Sequence, residues 1–109
     1  ACLPRPKIQT SPTAGGGRLN VHVEATPLNT AANNPISRLE FGTLQNAKVM
    51  LSGQSVVSGQ VVNGMTNTFA LDFTVERVTP GLATTVPFTV VDVCGSWRTF
   101  VGGGTAAGF

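Results

Sequence analysis

Apolar and polar residues alternate with a period of two through much of this 109-residue chain, and no stretch sustains a helical period. Successive side chains on a strand point to opposite faces, so each such run predicts a strand with one buried face. From Arg18 to Thr26 the apolar set is Leu19, Val21, Val23 and Ala25, opposed by Asn20, His22 and Glu24. From Thr68 to Val78, Phe69, Leu71, Phe73 and Val75 oppose Ala70, Asp72, Thr74 and Glu76, a regularity that predicts a central core strand. Shorter alternations mark Ile36 to Phe41, with Leu39 and Phe41 opposite Arg38 and Glu40, and Ala47 to Leu51. Between Gln54 and Met65 the pattern is broken by Gly59 and Gly64, which predicts edge strands.

The stretch Thr84 to Phe100 differs. Val86, Phe88 and Val90 share one parity while Val91 and Val93 take the other, so either both faces are covered or a bulge near Asp92 switches the facing. Beyond Gly95, Trp97, Thr99 and Val101 form a last strand. The punctuation between runs is turn chemistry: Pro27, the segment Asn29 to Pro35, and Thr79-Pro80-Gly81, where proline presets one dihedral and glycine supplies a positive one. Pro4, Pro6 and Pro12 precede Gly15 to Gly17 and leave room for one short edge strand around Lys7 to Thr10. The chain thus divides into a lead-in arm with a possible edge strand (1–17), a sandwich (18–101) and a glycine-rich tail (102–109). About seven short strands with turns between them predict an all-β, immunoglobulin-like antiparallel β-sandwich.

Length and composition sharpen this. A chain of this size buries roughly 60 to 70% of its unfolded surface, enough for one core. It is 41% hydrophobic and only 11% charged, its polarity coming from Thr, Ser, Asn and Gln, as in extracellular all-β modules. Seven basic residues against five acidic ones supply no basic stripe, which argues against nucleic acid as a partner. No run of about 18 apolar residues predicts a membrane span, and no leader pattern opens the sequence, which reads as a mature product or a piece of something larger. Cys2 and Cys94 form an even pair without C-x-x-C, and with His22 alone they fall short of a zinc ligand set. A disulfide is the expected use; closing so long a loop stabilises by about 4 to 5 kcal/mol in the chain-entropy model and implies an oxidising, extracellular or cell-surface setting.

The Cys2 of CLPRP, the GGGRL at Gly15 to Leu19, the LEFG at Leu39 to Gly42 and the run VPFTVVDVCGSWRTFVGGG at Val86 to Gly104 resemble, in order, C-terminal immunoglobulin-like β-sandwich accessory modules of large secreted bacterial proteins. The resemblance implies a non-catalytic domain, a secreted or surface location and a Cys2 to Cys94 pairing. It implies no defined ligand.

Catalytic chemistry finds little to stand on. Neither Gly53-Gln54-Ser55 nor Gly95-Ser96 completes a nucleophile elbow, and His22 beside Glu24 reads as a solvated surface histidine. Asp72 and Glu76 lie on one strand face about 13 Å apart, too far for glycosidic cleavage. The glycine triplets lack the Lys-Ser/Thr and the helix of a phosphate loop, and the scattered carboxylates predict no calcium site. Neither metal nor cofactor is expected. Four phenylalanines fall at core parity, leaving Trp97, Phe100 and Phe109 for the surface. Trp97 either packs over the disulfide end of the sandwich or joins Arg98 and Phe100 in a ligand platform. The function classes left are an accessory module contacting neighbouring domains or a protein partner, a carbohydrate-binding module taking polysaccharide, and a homo-oligomer built by strand addition at a sheet edge.

Overall fold

The computed structural model describes residues 7–15, 17–26, 36–66, 69–92 and 95–104. Among these, nine strands follow in chain order: β1 (Lys7–Gly15), β2 (Arg18–Thr26), β3 (Ile36–Phe41), β4 (Ala47–Leu51), β5 (Gln54–Val56), β6 (Val61–Thr66), β7 (Phe69–Arg77), β8 (Thr84–Asp92) and β9 (Gly95–Gly103). They build a β-sandwich of two antiparallel sheets, ordered β1-β2-β7-β4-β5 and β6-β3-β8-β9. No helix among the described residues is long and apolar enough to cross a membrane.

The count exceeds the expected seven for two physical reasons. β1 runs all nine residues against β2, from Lys7 opposite Thr26 to Gly15 opposite Arg18. Pro12 interrupts no ladder on its outer side because β1 is an edge strand, the one place where a missing N–H is cheap. The broken stretch after Gly53 then splits between sheets, β5 closing one edge and β6 another. Cys2, Cys94, the Asn29 to Asn34 loop and Phe109 lie outside the described residues.

The alternating residues meet in the middle. Leu19, Val21, Val23 and Ala25 of β2, Phe73 and Val75 of β7 and Val49 of β4 face Leu39 and Phe41 of β3 and Val86, Phe88 and Val90 of β8, all of them buried. Phe41 and Phe73 meet edge to face across the two sheets, ring centroids 5.4 Å apart at 81°, an arrangement that adds about 0.5 to 1.5 kcal/mol to the burial itself. The irregularity expected near Asp92 sits on the opposing strand: Ile36 pairs Asp92 while Arg38 pairs Val91, so β3 carries one extra residue there. On the outside of β3, Arg38 Nε donates to Glu40 Oε1 at 2.6 Å.

Two positions fix the joints. A Cβ on Gly42 would lie 2.9 Å from the Pro87 ring, so the chain leaves β3 over that proline only as glycine. Asn46, at φ 51°, ties the β7 to β8 turn to the start of β4. Its Nδ2 donates to the carbonyls of Thr79 and Leu82 at 3.0 and 3.1 Å, and its Oδ1 accepts from Thr79 N at 2.6 Å. The buried Thr84 hydroxyl donates to the Asn46 carbonyl at 3.1 Å. Asparagine suits the site because it tolerates a left-handed backbone and mimics a turn with its side chain.

Candidate functional site

The outward positions of β1, β2, β7 and β4 are polar for the same reason their neighbours are buried: the period is two. They form a shallow groove of about 800 Å³ on the outside of the five-stranded sheet, lined by Ser11, Asn20, His22, Lys48, Asp72 and Thr74 among others. In register, Ser11 faces His22 and His22 faces Asp72. His22 Nδ1 lies 2.6 Å from Asp72 Oδ1 and Nε2 lies 3.0 Å from Glu24 Oε1. Hydrogen bonds to Glu24, then to Asp72, raise the imidazole above its usual value. Both ring nitrogens are directed at carboxylates, so neither is left to take a proton from Ser11, as nucleophilic catalysis would require. The same geometry aims the two carboxylates at opposite edges of the ring, and among the described residues no three metal-ligating side chains converge. At the rim Arg18 Nη2 lies 4.0 Å from Glu76 Oε1, an exposed pair of small energetic weight.

The second surface is β9. Its burial alternates, and the three residues singled out from the sequence part company there. Trp97 faces inward, opposite the fully buried Val90, with its ring 3.7 Å from the position a Cβ on Gly95 would take. Arg98 and Phe100 face outward, opposite Thr89 and Pro87. The strand therefore separates Trp97 from Phe100 by its own thickness and joins Arg98 to Phe100 on one face. Phe100 is 68% exposed, and a smaller groove of about 330 Å³ runs beside it, lined by Gln45, Thr85, Pro87 and Arg98. Parity alone carries this split: residues 97 and 100 differ by an odd number.

The sequence reading did not bring Glu24, His22 and Asp72 together. Glu24 is visible two residues from His22, but Asp72 arrives through the β2 to β7 register. Searches against protein-family models, curated proteins and solved structures found no match to this chain.

Proposed function

We propose that this chain is a non-catalytic, extracellular immunoglobulin-like accessory module that anchors or assembles the secreted protein it belongs to, making protein contact along the β9 edge. The observation that carries the reading is the state of the sheet edges. An edge strand is a template for another chain, and proteins blunt edges by shortness, proline or charge. β5 is three residues long, β1 contains Pro12, and β6 is six residues long with Gly64 inside it. β9 is nine residues long, has no proline, and displays Phe100 beside Arg98. Aromatic and arginine side chains are what protein interfaces concentrate.

The immunoglobulin-like organisation is supported by strand order. β1-β2-β7-β4 over β6-β3-β8-β9 follows the A-B-E-D over C′-C-F-G scheme. The departure is that β4 precedes β6 in the chain. The disulfide, the secreted setting and the absence of catalysis rest on the sequence argument and its resemblance.

The test is capture from an extracellular fraction with the immobilised chain. Arg98→Pro removes an N–H at the edge and is expected to abolish capture, while His22→Gln, on the other sheet, is expected to retain it. Equal recovery with Arg98→Pro, or no recovery at all, overturns the reading. The polar groove around His22 favours a second reading, carbohydrate binding through hydrogen bonds rather than through stacking on Trp97. Affinity electrophoresis against a polysaccharide panel decides it, with Asp72→Ala as control; unretarded migration on every glycan excludes it.

A further inference from the structure

The occupant of the β9 edge follows from the direction of its backbone groups, given the contact-edge reading above. In an antiparallel ladder the N–H and C=O of one residue point to the same side, and the side alternates from residue to residue. Thr85 exchanges both backbone bonds with Gln45, at 2.9 and 3.0 Å, and the Pro87 carbonyl accepts from Gly42 N at 2.8 Å. Those residues of β8 therefore face away from β9. Thr84, Val86, Phe88 and Val90 face β9, where their partners are Gly103, Val101, Thr99 and Trp97. The backbone groups of Ser96, Arg98, Phe100 and Gly102 are left pointing out of the sheet, and among the described residues no strand pairs with them.

The geometry points to a second copy of this chain as the partner, added antiparallel through β9 across a two-fold axis at Thr99. That register is the one that overlaps the full strand, with Gly95 opposite Gly103 of the second copy. It sets Ser96 against Gly102 and Arg98 against Phe100, so every outward backbone group meets an outward group. By symmetry the Arg98 to Phe100 pair forms twice, each guanidinium beside an exposed ring on the outer face. On the inner face Trp97 comes to lie over Val101 of the second copy.

The neighbouring registers are worse. An axis at Arg98 sets two guanidinium groups directly opposite, a destabilising like-charge pair. An axis at Phe100 leaves Gly95 and Ser96 without partners and opposes Arg98 to Gly102, which has no side chain. A self-complementary patch of this kind closes a two-fold dimer, in which two four-stranded sheets continue into one.

Sedimentation equilibrium of the full chain from about 1 μM to about 1 mM spans the affinities of small interfaces. A reversible monomer to dimer equilibrium is expected, weakened about tenfold or more by Arg98→Pro and by Phe100→Ala, a loss of about 1.4 kcal/mol or more. Two variants are used so that misfolding of one, seen in its thermal transition, leaves the other to decide. In the proposed register the two Thr99 Cα atoms are about 4.5 Å apart, within the span of a disulfide. Thr99→Cys is therefore expected to give a covalent dimer on mild oxidation, mapped to position 99, and Ser96→Cys is expected not to. A chain monomeric at every concentration removes the second copy as occupant and leaves the contact-edge reading to the capture experiment. A dimer unaffected by both variants, or cross-linked as readily through Ser96→Cys, also overturns the proposal.

Discussion

His22 is held from two directions, by Glu24 two residues along its own strand and by Asp72 from β7. Both carboxylates favour the protonated ring and raise its affinity for a proton in the folded state. The contribution to stability is then fully present below the unfolded value of about 6.5 and lost as pH rises through the raised folded value. The melting temperature of the wild type should fall more steeply than that of His22→Gln as pH rises above about 6.5. The effect is small because the pair is exposed to solvent. Parallel pH profiles for the two proteins would rule out this linkage. At this scale the sequence showed that His22 faces outward, since its alternation with Val21 and Val23 leaves no other choice. It did not show Asp72, because strand register is settled by closure of the whole sheet. Asn46 was silent for the same reason: its positive φ and its bonds to Thr79 and Leu82 exist only once the β7 to β8 turn has folded back over β4.

Among the elements, β2, β7 and β8 were legible because each alternates cleanly and contributes a buried row. β1 was half legible, since Pro12 reads as a break until its strand is known to be an edge. The sequence pattern assigns the glycines at 102 to 104 to the glycine-rich tail, yet Gly102 and Gly103 belong to β9. The reason lies in close approach rather than in looseness. At Gly102, φ is 151° and a Cβ would sit 2.1 Å from the Thr84 carbonyl oxygen. That atom belongs to the β8 backbone, beside the buried hydroxyl that anchors Asn46, and it has nowhere to go. Gly102→Ala should cost about 2 to 4 kcal/mol in urea denaturation. A change within about 0.5 kcal/mol, the usual range of surface substitutions, would contradict the close approach. The same substitution at Gly104, where nothing lies within 4 Å, serves as the comparison.

For the whole molecule, two sheets and one core could be anticipated from period, length and the absence of a helical repeat. The allotment of strands to sheets could not, because β4 and β5 join the sheet of β7 before β6 returns to that of β3. That allotment leaves the first and last strands in different sheets. Lys7 stands at the open end of the β1 to β2 hairpin and Gly103 at the open end of the β8 to β9 hairpin. The registers put Lys7 beside the start of β7 and Gly103 beside its end, so tension applied there runs along the strands and loads the ladder bonds together. Arg77 Nη2, donating to the Gly104 carbonyl at 2.8 Å, pins the second of these ends. The expected Cys2 to Cys94 bridge would carry the load around the sandwich, leaving only the segment beyond Cys94 free to extend. Single-molecule stretching should then release a short contour length in oxidising buffer and nearly the full chain after reduction. Equal lengths in both buffers would mean that the two cysteines are not joined. With the bridge in place the domain acts as a mechanical bypass, in which a covalent link bears the pull and β1 to β8 are spared it, while β9, beyond Cys94, stays in the line of force.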